Sequence, residues 1–179
     1  MRTGIILFLL AIAAVLGAAE KKDIPYYDAD FPQTGNREYL QSRCKLDLRT
    51  PDGKKGYPTL IWFHGGGITG GSKHYPPGID PGQIAVATVN YRLSGDKAQC
   101  PDYIYDAAAA VAWVLRHIEE YGGDPQMVYV SGHSAGGYLS AMVALAPKYL
   151  NSFGADPKQL AAVLPVSGDR KSTRLNSSH

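Results

Sequence analysis

Cysteine is nearly absent: the 179 residues hold two, Cys44 and Cys100. Their separation fits no metal-ligand spacing, and two thiols are too few for a disulfide-built scaffold. In an exported protein they would form either one oxidised pair or two separate thiols, and both readings stay open. Runs of like charge are also missing, which removes the usual basic grip on an anionic membrane or a nucleic acid. There is no internal repeat and no low-complexity tract, which excludes solenoids and compositional linkers. Nor does any apolar stretch reach the ~20 residues needed to cross a bilayer.

What is present is an ordinary globular composition, 45% hydrophobic and 19% charged, with enough chain for one sizeable core. Both ends depart from it. Arg2 supplies a positive start, residues 5–16 an apolar run, and Gly17, Ala18 and Ala19 the small residues that a signal peptidase accepts. Residues 1–19 are therefore expected to be a signal peptide cut before Glu20, exporting the protein to the periplasm or beyond the cell. Residues 169–179, from Asp169 to His179, show no apolar period and resemble the in-frame translation of a sequencing-library adapter. They are expected to be non-native, the natural chain continuing past Gly168. Setting both ends aside removes four basic residues and one acidic residue, so the net charge moves from +2 to −1. Residues 20–168 are expected to bind no nucleic acid and, once the leader is cut, no membrane.

Along residues 20–168, periodicity changes repeatedly between that of strands and that of helices. Residues 21–37, with Pro25 and Pro32, read as an irregular lead-in. Residues 38–49 read as a half-exposed strand, because Cys44, Leu46 and Leu48 alternate with charged residues. That strand is expected at an antiparallel edge, ending in the turn chemistry of Pro51, Asp52 and Gly53. Residues 60–63, 84–91 and 160–166 lack alternation and read as strands buried on both faces. Asp102 is placed to cap a helix whose apolar stripe runs through Ile104, Ala107, Ala108, Val111, Val114, Leu115 and Ile118. Residues 122–125 end it, and another loop is expected through Asn151, Gly154 and Pro157. Strands alternating with helices predict an α/β fold: a mostly parallel sheet with helices on both faces.

Two glycine-rich bends carry the chemistry. Met127, Val128, Tyr129, Val130 and Ser131 form a β-rich run, residues 138–146 favour helix, and between them lies Gly132-His133-Ser134-Ala135-Gly136. This is G-x-S-x-G in strand-turn-helix context: Gly132 and Gly136 let the two elements approach while Ser134 is held at the apex with its hydroxyl exposed. A five-residue pattern arises by chance often, but a second bend precedes it. Thr59, Leu60, Ile61, Trp62 and Phe63 run directly into His64-Gly65-Gly66-Gly67, a loop suited to aiming backbone N–H groups at a developing oxyanion. Together they suggest attack on an acyl carbon.

These bends, with Asn90-Tyr91-Arg92-Leu93, Asp106 and Trp113, and Tyr121 through Pro125, resemble the α/β-hydrolase esterases that carry an HGGG loop, among them bacterial feruloyl and acetyl esterases acting on carbohydrates. The similarity spans about residues 43–168. It implies an α/β-hydrolase domain over residues 20–168, incomplete because C-terminal strands are missing. It also implies Ser134 as nucleophile and an oxyanion hole from the N–H of Ala135 with Gly66 and Gly65 or Gly67. His64 would anchor its loop, and Gly132 and Gly136 would shape the elbow. Asp106 and Trp113 would serve packing and helix capping. No cofactor and no metal are implied, and the partner is a small-molecule or carbohydrate ester. The departure lies downstream. In this family the acid and the histidine follow the serine, yet after Ser134 the chain holds only Asp156, Asp169 and His179. His133 sits in the elbow itself, and His74 and His117 read as surface residues rather than a base. The chain as written is expected to be an inactive fragment of a serine esterase. Amide or formamide cleavage, exopeptidase work, or a silent binding module on the same scaffold are the alternatives.

Overall fold

The structure, a computed structural model, describes residues 19–166. The expected leader and adapter-like tail fall outside the described residues, apart from Ala19. Six strands form one sheet in the order β1-β2-β4-β3-β5-β6. They are β1 (Ala19–Pro25), β2 (Lys45–Thr50), β3 (Tyr57–Phe63), β4 (Ala85–Val89), β5 (Gly123–His133) and β6 (Ala162–Val166). Only β2 runs against the others, pairing antiparallel with β1 and β4, while β4-β3, β3-β5 and β5-β6 are parallel.

The buried strands are those without alternation. All five residues of β4 are buried, and Ile61 and Phe63 of β3 and Val128 and Val130 of β5 lie in the core. The main helices are α2 (Asp102–His117), α3 (Ala135–Leu145) and α4 (Pro147–Asn151). They pack on one another, and α2 and α3 also pack on the sheet, together on one face. Over β2 and β4 the opposite face is crossed by the loop after β3. There His74 O accepts from Thr88 Oγ1 at 2.7 Å, and Lys73 Nζ is paired with Asp23 and Asp47.

Several local expectations need correcting. The lead-in begins as a strand: β1 is exposed and polar, so no apolar pattern betrays it, and backbone pairing with β2 holds it in place. This makes β1 the sheet edge and β2 internal. Residues 37–43 form a helix, α1 (Arg37–Arg43), because the Asn36 side chain accepts from Tyr39 N at 2.9 Å. Asp102 does not cap α2: Pro101 holds the cap position, and the Asp102 carboxylate accepts from Gln99 N. The α2 stripe is buried apart from the half-buried Leu115, but so are Ala109, Ala110, Ala112 and Trp113. Its Tyr105 meets Tyr149 and Phe153 edge to face, and Phe153 meets Tyr27 and Phe31 in the same way. β6 is not buried: Leu164 is 55% exposed, because the strand pairs on one side only among the described residues.

Asp106 is neither cap nor plain packing. It lies mid-helix, fully buried, against the fully buried Arg92. Its oxygens accept from Arg92 Nη2 at 2.7 Å, Arg92 Nε at 2.8 Å, Arg92 N at 2.9 Å and Tyr27 OH at 2.6 Å. A buried pair is tolerated only when its hydrogen bonds are satisfied, as here. The pair pins residues 91–93 to α2 just beyond the end of β4.

Candidate active site

Because β3, β4, β5 and β6 are parallel, the chain after each leaves from the same end of the sheet. After β3 the chain goes to β4 on one side, and after β4 it crosses to β5 on the other. The ends of β3 and β5 are thus the point at which strand order reverses, where α/β sheets place their ligands.

The elbow stands at that point. β5 ends at His133, and α3 starts at Ala135, leaving Ser134 alone in the bend with φ 54° and ψ −114°. A serine at positive φ stores strain and persists only where its surroundings dictate it. Here they do. A Cβ on Gly136 would strike the Phe63 carbonyl, and one on Gly132 would lie 2.5 Å from Gly136 C and 2.7 Å from Phe63 O. Strand, bend and helix meet backbone to backbone, and only hydrogen fits between them.

The second bend faces the first. A Cβ built on Gly65 would lie 3.5 Å from Ser134 Cβ and 3.1 Å from His133 O, so any side chain at residue 65 would touch the serine that the glycine bend faces. Gly66 and Gly67 have φ of 117° and 61°. Their carbonyl side is used internally, Gly66 O accepting from Thr69 N and Gly70 N at 3.1 and 3.0 Å. The amides of residues 65–67 donate to no backbone carbonyl among the described residues, and Ala135, as the first residue of α3, has a free N–H. An acyl oxygen between the two bends would meet donors from both sides.

His64 lies under the glycine bend, 1% exposed. Its imidazole stacks on the Tyr91 ring at 4.4 Å, its Nδ1 lies 2.7 Å from Gly65 O, and its carbonyl accepts from Tyr91 OH at 2.8 Å. The Gly65 carbonyl requires a hydrogen on Nδ1, which leaves Nε2 as a buried lone pair without a partner among the described residues. Burial pushes its pKa down to about 4, so the ring is neutral near pH 7.

The other histidines among the described residues are His74, His117 and His133. His133 is exposed and His74 is exposed. His117 is held between Asp28 at 3.1 Å and Glu120 at 2.9 Å, and those carboxylates raise its pKa against a desolvation that opposes them. Asp156 accepts from Lys158 N and caps a short turn. The two thiols are free, Cys44 buried and Cys100 exposed. Among the described residues no cluster of His, Cys, Asp and Glu could hold a metal ion. Gly65, Gly67 and Gly70 do have dinucleotide-loop spacing, but an irregular loop follows them, not a helix N-terminus to meet a pyrophosphate. A cleft of about 500 Å³ lies at the opposite end of the sheet, lined by Lys54, Lys55, Glu119, Glu120 and Tyr121, with no Ser, Thr or Cys in its lining.

Sequence patterns missed Arg43, which reaches this site from α1. Its signal, one basic residue ending a polar helix, carries no periodicity.

Comparison with known proteins places this arrangement. The BD-FAE family model matches residues 46–168. The chain belongs to that family. A probable carboxylic ester hydrolase, LipM of Mycobacterium tuberculosis, is 37% identical over 157 residues, which is 83% of this chain and 35% of the relative. Esterase LipQ of the same organism is 34% identical over 174 residues, 90% of this chain and 38% of the relative. The chain therefore spans little more than a third of the length of these two curated relatives. Among solved structures, a bacterial heroin esterase superposes with a TM-score of 0.58 at 30% identity, covering 86% of this chain and 45% of that one. This BD-FAE chain has the α/β-hydrolase fold of such esterases, and its two bends occupy neighbouring strand ends.

Proposed function

We propose that the complete protein hydrolyses carboxylic esters through Ser134, acting on short acyl groups such as acetyl or feruloyl, carried on carbohydrate. Ser134 Oγ attacks the acyl carbon, its proton passes to a histidine, and the carbonyl electrons move onto the oxygen. The amides of Gly66, Gly65 or Gly67, and Ala135 receive that negative charge without reorganising. The observation that carries the reading is Ser134 at φ 54°, facing a Gly65 on which a Cβ would lie 3.5 Å from Ser134 Cβ. The names of the two relatives support the ester class, and the carbohydrate is the finer expectation from family resemblance. We further propose that export follows from the leader pattern of residues 1–19.

Serine is a poor nucleophile unless a histidine accepts its proton and an acid orients that histidine. His64 is buried beneath the bend, His117 is committed to two carboxylates, and Asp156 to a cap. This chain, as written, is therefore expected to turn over no ester. Expressed with its natural downstream residues, the protein should hydrolyse p-nitrophenyl acetate, and Ser134→Ala should lower kcat by about 10⁴-fold or more. Acetyl xylan, methyl ferulate, N-formyl amides and dipeptide anilides then separate ester from amide work. Ester turnover by this chain that vanishes in Ser134→Ala would refute the fragment reading.

A further inference from the structure

We infer that Arg43 is a positioning residue for the oxyanion-facing amides of the glycine bend. The inference rests on the hydrolase reading for its consequence and on geometry for its substance. Arg43 ends α1, and its guanidinium spans two backbone carbonyls: Nη2 donates to Gly71 O at 2.6 Å and Nε to Tyr91 O at 3.1 Å. Those carbonyls belong to the two walls around His64. On one side, Tyr91 stacks on the imidazole and its hydroxyl donates to His64 O. On the other, Gly71 at φ 94° sits so close to Gly65 O and to His64 Nδ1 that it has no room for a Cβ. One planar fork thus closes both walls on the residue that precedes the donors. An ammonium, a point charge, cannot span both acceptors in one plane.

An arginine at a protein surface usually finds a carboxylate. Both guanidinium bonds to described residues go instead to carbonyls, so what this side chain orders is backbone. The same α1 also supplies Tyr39, whose hydroxyl accepts from Leu93 N at 3.1 Å. Next to it, Ser94 N donates to Ile68 O at 2.7 Å, so the segment after β4 is laced to the glycine loop as well. The helix that apolar periodicity does not reveal is the brace on which the bend leans.

Two arms test this. In the present chain, amide hydrogen exchange is followed across residues 64–71 in the unchanged protein, Arg43→Ala and Arg43→Lys, read at Thr69 and Gly70, whose amides donate to Gly66 O. Arg43→Ala should speed exchange there roughly tenfold, through loss of the charge-assisted bonds, with β3 and β5 still protected. Arg43→Lys should fall between. In the complete protein, Arg43→Ala should lower kcat about tenfold or more with KM little changed, since displaced donors are felt in the transition state, and lysine should restore part of it. Unchanged exchange at residues 64–71, or the same acceleration throughout the sheet, overturns the proposal, as does a rise in KM with kcat intact. Should Arg43→Ala fail to fold, Arg43→Lys decides alone, exchange as slow as in the unchanged protein counting against the brace. A complete protein that cleaves no ester sinks the hydrolase reading instead and leaves the exchange arm to decide the role of Arg43.

Discussion

The two glycine bends face each other but are held by different means. The elbow is fixed by backbone meeting backbone: Gly132 and Gly136 lie against the Phe63 carbonyl, and no side chain is needed to keep Ser134 at the apex. The bend after β3 meets backbone most closely within its own loop, Gly66 against Gly70 O and Gly71 against Gly65 O, and is tied to the rest of the molecule by side chains, with His64 beneath it, Tyr91 stacked behind, Arg43 clamping its far end and the Arg92–Asp106 pair fixing residues 91–93. A backbone contact tolerates no added atom, whereas a side-chain brace can loosen in steps. The serine should therefore be the rigid half of the site and the glycine amides the adjustable half.

That contrast can be broken at its foundation first. Asp106→Ala strands the buried Arg92 guanidinium, and should lower unfolding free energy by about 3–5 kcal/mol in urea titration. A loss under about 1 kcal/mol would mean that water replaces the carboxylate. Next, Gly136→Ala drives a methyl into the Phe63 carbonyl, which only a shift of β3 or α3 can relieve, so about 3 kcal/mol or more should be lost. A crystal structure of that variant with Ser134 unmoved would dissolve the distinction between the bends.

Acid should act on the adjustable half. His64 has its pKa lowered from 6.5 to about 4, so the folded protein binds fewer protons than the unfolded chain between those values. Its contribution is whole above about pH 6.5 and disappears as pH falls toward 4, amounting to up to about 3 kcal/mol. Denaturant midpoints measured across that range, compared with His64→Gln, check the sign; identical pH slopes would remove His64 from the account. The smallest effect is expected for Gly71→Ala. A non-glycine residue at φ 94° costs about 1–3 kcal/mol, and its Cβ would also press on Gly65 O and the His64 ring, a clash relieved by moving a loop that is not packed on a strand. Hydrogen exchange should then rise at residues 64–71 and not in β5, and equal rises in both would show one rigid unit.

Both bends were legible in the sequence because each depends on local rules. Glycine spacing sets where backbones can approach, and unbroken apolar runs mark buried strands such as β4. What patterning missed was held by partners distant in the chain. β1 is polar and exposed, and exists through pairing with β2. α1 is short, with a single buried residue, and begins where Asn36 caps it. Conversely, the apolar run of β6 suggested burial, but burial needs a neighbour on each side.

By itself the sequence determined the α/β order of the elements, the serine at the apex of a bend and the glycines beside it, since these follow from periodicity and from the absence of a Cβ. Tertiary structure decided which side chains support them. Only parallel strand order brings the ends of β3 and β5 together, and only the antiparallel β2 delivers Arg43 to Gly71 and Tyr91, because contacts between residues far apart in the chain leave no period behind.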